Sequence, residues 1–424
     1  MLKSVDLTLS NLNRLIIISV SLGAAFTYAS TDDKIPSSII TKVEQQPNSK
    51  QPSKFRWHSF GNQGYIKTSN YNFFGDSQDG SWAFNDLGLG ASWKPNARLQ
   101  ISAQAITRRA GKTSQDGVQL DYGFIDLNLI NNFDYALGFR AGRVKNPYGF
   151  YNETRDIASS RPSILLPQSI YLDSLRRLFH TMDGLSSYGH MQWGDTLFNL
   201  DVNYGKPLID DVTQDAILVT PLPGQLNNEK IFLARAILEQ DAGRWRMGYS
   251  YSQLNSDYSQ PTTITPFTLG AFAGKANIYL HLLSFEYNWA QWQLTTEYQR
   301  RKLEHKDIYY PEFYNAVDNE SWYGQVSYQF SPELKIFARY DVYYLFRDDK
   351  EGKEFSERNN LTAHAAYAKD STIGLRYSIN SHWMLAAEYH YINGTAWLAE
   401  IENHPPLANE PYWDLFTAQI SFKF

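Results

Sequence analysis

The sequence predicts an all-β protein whose fold is a transmembrane antiparallel β-barrel of about 16 strands, with short periplasmic turns and long extracellular loops. Three observations predict this fold. Apolar and polar residues alternate along most of the chain, the breaks between strands alternate between short and long, and aromatic residues gather at the strand ends. A barrel in lipid accounts for the alternation, because its strands present apolar side chains to lipid and polar side chains to the interior.

The alternation is clearest in the last run, residues 416–424. The two alternating sets there are Phe416, Ala418, Ile420, Phe422 and Phe424 on one side and Thr417, Gln419, Ser421 and Lys423 on the other. Successive side chains of a strand point to opposite faces, so one face of this run is apolar and the other is polar. The same pattern recurs in residues 198–204, 292–299, 322–330, 334–342 and 372–379, without helical spacings of three and four.

The breaks between these runs alternate in length. Short turns are predicted near residues 95–96, 131–132, 194–195, 241–243, 289–290, 331–333 and 380–381. Long polar stretches lie near residues 70–83, 109–117, 145–184, 207–229, 255–275, 303–319, 347–369 and 393–411. This count gives about sixteen strands with both chain ends on the short-turn side, as expected of a bacterial membrane barrel. The first and fourth strands slip phase, which a β-bulge would explain.

A soluble β-sandwich also alternates and is the alternative to a barrel. The runs here have about 10 to 13 residues, long enough to cross a bilayer at the usual strand tilt. Tryptophans near strand ends suit the two membrane interfaces, where one side of the ring is apolar and the other is wet. They are Trp93, Trp193, Trp245, Trp289, Trp292, Trp383 and Trp413. Only a closed ring of strands pairs every backbone polar group within hydrocarbon, so we favour the barrel.

The domain organisation predicted from the sequence has three parts. Residues 1–29 are expected to be a signal peptide, because Lys3 and Arg14 precede the apolar run of residues 15–26 and small residues follow it. A membrane anchor is the alternative, although the apolar run is shorter than the ~20 residues that a spanning helix needs. Residues 30–54 are expected to be a flexible periplasmic lead-in, and residues 55–424 the barrel.

The composition excludes several classes of function. The formal net charge of −5 provides no basic footprint for nucleic acid, and the absence of Cys excludes a disulfide framework. A mean hydropathy of −0.45 excludes a helical membrane bundle but not a barrel, whose strands are apolar only at alternate positions. We find no Gly-rich phosphate loop and no nucleophile elbow, so neither a cofactor nor an enzymatic activity is expected.

Two stretches carry a resemblance to a known family. One is the C-terminal strand ending in Phe424, with Tyr412, Phe416, Ile420 and Phe422. The other is the run Gly142-Arg-Val-Lys-Asn-Pro-Tyr-Gly149, followed by Glu153, Arg155, Asp156 and Arg161 and then by Asp183-Gly184. With them, the chain after residue 54 resembles the Gram-negative outer-membrane porin superfamily, and the second stretch resembles its phosphate-selective porin-like group.

The resemblance implies a location in the cell outer membrane and a channel for passive diffusion of small hydrophilic solutes or ions. It also implies a homotrimer, a third loop that folds inward as a constriction, and a C-terminal strand recognised by the barrel assembly machinery. The expected partners are therefore outer-membrane lipid, further copies of the chain, that machinery and small hydrophilic solutes. The rows of basic residues that give the phosphate-selective group its selectivity are not matched, so the solute is left open.

If the apolar faces meet lipid, the opposite parity lines the lumen, and its charged members are candidate pore residues. They are Arg140, Arg235, Arg244, Arg246, Arg339, Arg376, Asp201, Glu297, Asp341 and Glu388. Opposed cationic and acidic side chains filter solutes by charge and size. Six arginines against four carboxylates suggest a mild anion preference. Alternatively, these charges only pair with each other and keep the wall wet.

The longest break, residues 145–184, is the predicted constriction loop. It holds many apolar residues, including Ile164, Leu165 and Leu166, which a solvent-exposed loop would have little reason to contain. We therefore expect it to pack against the barrel wall and to place its charged residues in the lumen. They are Arg155, Asp156, Arg161, Asp173, Arg176 and Arg177. A surface loop or a trimer contact is the alternative.

Other functions remain open as alternatives. An outer-membrane barrel enzyme of lipase or protease type would need a Ser–His pair with a third polar group. An adhesive or receptor barrel is compatible with Tyr-rich loops such as Tyr309-Tyr310. His382, Glu388 and His390 share a parity, but their intervals do not bring three metal ligands together. Acidic residues of the first and fourth loops could bind calcium loosely, without the ligand spacing of a dedicated calcium loop.

Overall fold

The computed structural model describes residues 54–114, 117–218, 222–260, 272–403 and 410–424. The predicted signal peptide and all but the last residue of the predicted lead-in lie outside the described residues. The strands are β1 Phe55–Thr68, β2 Ser81–Trp93, β3 Leu99–Ala110, β4 Val118–Asn131, β5 Tyr135–Lys145, β6 Thr181–Trp193, β7 Thr196–Pro207, β8 Gln225–Gln240, β9 Trp245–Ser259, β10 Gly274–Trp289, β11 Trp292–Lys306, β12 Tyr314–Gln329, β13 Leu334–Tyr344, β14 Tyr367–Ser378, β15 Trp383–Gly394 and β16 Tyr412–Lys423. The helices are α1 Arg176–His180, α2 Asp211–Leu218 and α3 Lys353–Asn359.

These sixteen strands form one closed antiparallel barrel in which every strand pairs with its sequence neighbours and β1 pairs with β16. The predicted fold class and strand count are therefore confirmed. Among the described residues, none of the helices is long and apolar enough to cross a membrane. Eight longer loops connect the strands at the end opposite to both chain ends of the barrel. We name them L1 to L8 in chain order: 69–80, 111–117, 146–180, 208–224, 260–273, 307–313, 345–366 and 395–411.

Strand β10 shows how the period-two sequence builds the wall. The inward face of β10 has four buried apolar residues, Ala276, Ile278, Leu280 and Leu282. Leu283 and Trp289, further along the strand, are exposed on the outward face. Trp289 at the end of β10 stacks on Trp292 at the start of β11, beside the short turn that joins them. The exposed face is therefore an apolar surface with aromatic residues at its lower edge, as lipid requires.

The phase slips predicted in the first and fourth strands correspond to irregular pairing in the structure. The β1–β2 register shifts between Gly64 and Ile66. In β4, Asp121 is skipped opposite Gln104 and Ala105, and Leu129 is skipped on the β5 side. An extra residue in one strand leaves its partner strand one position out of step, which a sequence pattern records as a change of phase.

The apolar core lies inside the barrel, between the wall and the loops that fold over it. Trp413 and Leu415 of β16 point inward and are almost fully buried, and Trp413 packs against Tyr71 of L1 and Trp397 of L8. Our expectation that Trp413 marks a membrane interface is therefore wrong, because loops cover the inner wall at its height. Burying a side chain of this size contributes roughly 3 kcal/mol.

Loops L1, L2 and L8 are joined by one buried carboxylate. Glu402 of L8 accepts hydrogen bonds from the backbone N–H groups of Phe74 and Gly75 in L1 and of Lys112 in L2. Gly111 permits this approach, since its φ is +57° and a Cβ there would lie 1.8 Å from the Glu402 Oε1 atom. The extracellular end of the barrel is thus a packed structure rather than a set of separate loops.

Candidate functional site: the lumen and loop L3

Loop L3, residues 146–180, folds into the barrel and contacts the inner wall on several sides. The sequence predicted a longer break, residues 145–184, but β6 begins at Thr181. Residues 181–184 belong to β6 and not to the loop. Asp183 faces outward from β6, where both of its carboxylate oxygens accept hydrogen bonds from Arg143 of β5. A charged residue at the rim of a strand was therefore misread as part of a loop.

The middle of L3 is held against β13–β16. Glu388 of β15 accepts hydrogen bonds from the backbone N–H groups of Ile164 and Leu165, the second at 3.2 Å. Arg339 of β13 donates to the Ser163 hydroxyl at 3.0 Å and to the Leu165 carbonyl at 3.1 Å. One carboxylate and one guanidinium of the wall thus satisfy consecutive backbone groups of L3, in place of pairing with each other.

Further contacts extend this anchoring around the same side. Arg376 of β14 donates to the carbonyls of Ser159, at 2.9 Å, and Arg161. Arg161 reaches Gln419 of β16 at 3.3 Å, and the Ser169 N–H lies 3.4 Å from Asp341 of β13. The apolar residues Ile164, Leu165 and Leu166 are each at most 5% exposed. They therefore pack against the wall, as their sequence suggested.

A second set of contacts holds both ends of L3 against β9–β12. The Glu297 carboxylate of β11 accepts hydrogen bonds from the hydroxyls of Tyr171 at 2.8 Å and Tyr323 at 3.0 Å, and from the Phe150 N–H at 3.1 Å. Gly149 has a φ of +56°, and a Cβ there would lie 2.8 Å from Glu297 Oε1. Only glycine lets the L3 backbone approach this carboxylate so closely.

Arg246 of β9 lies beside the same end of L3. Its guanidinium carbon is 4.1 Å from the centroid of the Phe150 ring, and its Nε atom is 3.1 Å from Glu286 of β10. The ring therefore covers a wall ion pair, and a cation over an aromatic face adds to the attraction.

The other side of the lumen, formed by β3–β8, has ion pairs that stay partly exposed. Arg140 of β5 donates to Asp126 of β4 at 3.0 Å and lies over the Tyr188 ring. Arg235 of β8 contacts Asp201 of β7 at 2.8 Å and Glu153 of L3 at 2.6 Å. The side chains of Arg140 and Asp201 are 23% and 20% exposed, so solvent reaches these charges.

Arg108 of β3 connects the wall to L3 on this partly exposed side of the lumen, which we call the open side. It lies 3.3 Å from Asp86 of β2 and 3.0 Å from Asp173 of L3. Asp173 also contacts Arg155 at 3.5 Å. Burial disfavours the charged form of Asp173, but Arg108, Arg155 and Arg176 overcome it and lower the pKa of this carboxyl. Arg108 and Asp86 were not among the predicted lumen residues; their inward parity in β2 and β3 could have identified them.

The base of L3 is fixed by a cluster of charges. His180 Nε2 lies 2.9 Å from Asp121 and 2.8 Å from Asp156, while Lys145 contacts both carboxylates and Arg176 contacts Asp156. Burial opposes the charged form of Asp156, but His180, Lys145 and Arg176 hold the pKa of this carboxyl well below its usual range.

Asp121, Asp156 and His180 are also close enough to hold a metal ion, since their ligand atoms lie within 4.8 Å of one another. Lys145 and Arg176 already occupy the carboxylates, however, and a cation would have to displace them. The cluster is better described as an ion-pair network that fixes the start and the end of L3. It borders a small cavity of about 90 Å³ that Arg108, Asp173 and Arg177 also line.

Two predicted site residues lie apart from the lumen wall contacts described above. Arg177 of L3 extends toward the extracellular side, where it contacts Gln119 of β4 and lies 3.6 Å from Asp210 of L4.

Arg244 was wrongly predicted to line the lumen. It lies in the short turn between β8 and β9, 61% exposed, and contacts Asp241. Asp241, Ala242 and Gly243 have positive φ, so the turn resets the alternation before β9 begins.

His382, Glu388 and His390 are not brought together as a metal site. His382 lies in the exposed turn before β15, where its ring stacks on Phe424. His390 is buried and lies 2.8 Å from Asp370 and 3.4 Å from Glu388. His390 therefore supports the carboxylate that holds L3, a role that no spacing in the sequence indicates.

Comparisons with known proteins agree with this architecture. The family model of the OmpA-like transmembrane domain matches residues 246–424, which contain β10–β16 and nearly all of β9. A comparison with curated proteins found no match. Among solved structures, OmpT of Vibrio cholerae is 12% identical with a TM-score of 0.54, over 88% of this chain and 99% of that chain.

Two further solved structures are similar to the same degree. An anion-selective porin from Comamonas acidovorans is 12% identical with a TM-score of 0.55, over 87% of this chain and 99% of that chain. Pseudomonas putida OprB is 10% identical with a TM-score of 0.54, over 88% and 94%. The chain is thus a Gram-negative outer-membrane β-barrel with the fold of these porins. At these identities the likeness extends to the fold and leaves the solute to be argued from the lumen.

Proposed function

We propose that this protein is a passive diffusion channel for small hydrophilic solutes or ions, without catalytic activity, in which L3 narrows the lumen. The observation that carries the proposal is the position of L3 inside the closed barrel. L3 is hydrogen-bonded to the inner wall at β9, β11 and β13–β16, and ion pairs with Arg108 and Arg235 connect it to β3 and β8. Solutes then pass along the side formed by β3–β8, where the charged side chains remain accessible.

A mild preference for anions is kept as part of this proposal, because the charges on that side are of both signs. Arg108, Arg140 and Arg235 face it together with Arg176 and Arg177 of L3, and their partly exposed carboxylate partners are Asp126, Asp173, Asp201, Asp210 and Glu153, whereas Asp86 and Asp156 are fully buried. Opposed charges across a narrow passage order water and select solutes by charge and size. Because the two signs are nearly balanced, we expect a weak preference and a broad range of solutes.

The state and partners of the channel are part of the same proposal. One of the similar structures, OmpT of Vibrio cholerae, was determined in a trimer form. We infer that this chain also assembles as a homotrimer, and that its C-terminal strand is what the barrel assembly machinery recognises. Membership of the phosphate-selective porin-like group is proposed only through the resemblance of residues 142–149 and the residues that follow them.

Planar-bilayer recordings of the purified, folded barrel test the channel. We expect stable conductance steps. Under a salt gradient, we expect a reversal potential whose sign shows that anions permeate better than cations. A folded barrel without steps contradicts the diffusion channel, whereas steps with a cationic reversal potential contradict only the anion preference.

Shortening L3 tests the constriction and has the largest expected effect. Replacing residues 157–172 by a short Gly-Ser linker removes the contacts to β13–β16 and should raise the single-channel conductance severalfold. The matched control shortens L7 by its exposed helix α3, which should leave the conductance unchanged. An unchanged conductance in the L3 variant would show that L3 does not narrow the passage.

A further inference from the structure

The outer face of the barrel has a cleft of about 860 Å³ at the extracellular ends of β7–β10. Lys206, Lys230, Lys275, Asn255 and Asp257 line it. Their positions face away from the lumen: Lys275 is exposed next to the buried Ala276, and Asn255 is exposed next to the buried Leu254. The cleft is therefore separate from the diffusion path.

The outward-facing row of β10 gives the height of the cleft relative to the membrane. From the periplasmic end this row contains Trp289, Tyr287, Phe285, Leu283, His281 and Tyr279, then Asn277, and last Lys275. The His281 ring shares a hydrogen bond of 2.8 Å with the Tyr249 hydroxyl. The eleven residues from Trp289 to Tyr279 span roughly 25 Å along the membrane normal in a tilted strand, the height of the apolar band of such barrels. Lys275 and the cleft thus lie just above this band, at the level of the outer-leaflet headgroups.

A β-bulge shapes the cleft. The β8–β9 register shifts between Asn227 and Lys230, and Asn228 in the bulge has a φ of +53°. Two residues of β8, Asn228 and Glu229, oppose a single residue of β9, which bends the strand and opens the wall locally. The Asn228 amide donates to Asp257 at 3.0 Å and so occupies the nearest carboxylate.

The cleft has more lysines than carboxylates: Lys206, Lys230 and Lys275 against Glu229 and Asp257. Lys206 pairs with Glu229 at 3.3 Å. For Lys230 and Lys275 the described residues provide no ion pair. In the strand register Lys275 stands between Lys306 of β11 and Asp257 of β9, whose carboxylate accepts the hydrogen bond from Asn228. Like charges in directly opposed positions destabilise a sheet. Such an arrangement becomes favourable when an anion lies between the ammonium groups.

The lower edge of the cleft is apolar. Tyr204 of β7 and Phe232 of β8 are paired in register, both point outward, and they are 52% and 36% exposed. A cationic upper edge above an aromatic lower edge suits an amphiphile that has phosphate groups above its acyl chains. A free phosphate ion would make no use of the aromatic edge.

We propose that this cleft binds the phosphorylated headgroup of an outer-leaflet glycolipid, with Lys230 and Lys275 contacting phosphate oxygens and Tyr204 and Phe232 contacting the apolar part beneath them. Ammonium groups bind phosphate as compact point charges, and such bonds are stronger than neutral hydrogen bonds. The lipid would bind on the outer face of the barrel, so this proposal does not depend on whether the lumen conducts ions.

The test measures the affinity of the full, detergent-folded barrel for lipid A, the phosphorylated glycolipid of the outer leaflet. We expect Lys230→Gln/Lys275→Gln to weaken binding roughly tenfold, the size expected for the loss of two solvent-exposed ion pairs. The matched control, Lys94→Gln/Lys423→Gln, removes two exposed lysines at the periplasmic end and should leave the affinity unchanged. Lys275→Gln alone provides a milder variant with a smaller loss.

Two further ligands separate the sources of phosphate. Lipid A without its phosphates should bind the wild-type barrel as weakly as intact lipid A binds the double variant, and millimolar inorganic phosphate should not compete. Equal affinities of wild type and double variant, or an equal loss in the control, would overturn the site. Competition by inorganic phosphate would overturn the lipid assignment. Unchanged conductance in the double variant is expected because the cleft lies outside the lumen.

Discussion

The two sides of the lumen differ in what their charged residues contact. On the side formed by β9–β16, Glu297, Arg339, Asp341 and Glu388 are at most 4% exposed, and their partners are groups of L3. On the side formed by β3–β8, Arg140 pairs with Asp126 of the wall, and Arg235 pairs with Asp201 of the wall and Glu153 of L3; these carboxylates are in partial contact with solvent. An inward-facing charge of the wall is therefore not necessarily accessible: L3 determines which charges are buried and which remain in contact with solvent.

Substituting a charge on the two sides of the lumen should also have different effects on the free energy of unfolding. Removing one partner of a buried, hydrogen-bonded charge leaves the other uncompensated and costs several kcal/mol. A solvent-exposed ion pair contributes about 1 kcal/mol or less. Substitutions of the buried charges that hold L3 should thus change stability and loop position. Substitution of Arg140, whose partner Asp126 belongs to the wall, should change ion selectivity with little effect on stability.

Glu388→Gln should have the largest effect among single substitutions. The amide of Gln can accept one of the two L3 N–H groups but turns an NH₂ donor toward the other, at a cost of about 3 kcal/mol. We expect L3 to detach intermittently, seen as conductance fluctuations and as protease cleavage within residues 157–172. Glu333→Gln, at an exposed periplasmic turn, is the control. A quiet, protease-resistant Glu388→Gln channel would show that this carboxylate does not hold L3.

Acidification should release the base of L3 through Asp156. Its folded-state pKa is held well below the usual range, so its stabilising contribution is complete above about pH 5 and is lost as the pH falls through that lowered pKa. Protease cleavage of L3 should therefore stay constant from pH 7 to pH 5 and rise only below about pH 3. Asp156→Asn should be cleaved already at neutral pH, with no further change in that window. Asp183→Asn, on the outer face, is the control.

Arg140→Gln/Arg235→Gln should shift the selectivity of the channel toward cations. The two substitutions leave Asp126, Asp201 and Glu153 without their cations. A unit charge about 7 Å away in water changes the energies of an anion and a cation by roughly 0.6 kcal/mol each, with opposite signs, so the anion-to-cation permeability ratio should fall by up to roughly sevenfold per residue at low salt. Reversal potentials under a salt gradient measure this ratio. An unchanged ratio would place the solute path elsewhere.

Arg244→Gln should have the smallest effect. The side chain is exposed in the periplasmic turn, so both the reversal potential and the stability should equal those of the wild type. A selectivity shift comparable to that of Arg140→Gln/Arg235→Gln would mean that the turn contributes to the passage.

The fold could be predicted from the sequence because its determinants are local. Alternation of apolar and polar residues, short turns and aromatic strand ends each depend on a few neighbouring positions, and they gave the sixteen strands and the two phase slips. The inward folding of L3 was also predictable, since the long break holds many apolar residues, residues 164–166 among them.

The contacts of L3 could not be predicted in the same way. Ile164 and Glu388 are 224 positions apart, and nothing in either segment specifies the other. The face of a residue was also uncertain near loops and turns. Trp413 and Arg244 were placed wrongly because loops cover the upper inner wall and a three-residue turn resets the alternation.

The closure between β1 and β16 has a consequence for the order in which the protein is built. L3 follows the fifth strand, yet its middle is held by β13, β14, β15 and β16. Those strands are synthesised last, so L3 has no final position until the end of the chain has arrived and paired with β1. The ring of strands and the inner position of L3 are therefore completed together, and L3 cannot be fully held in an unfinished barrel.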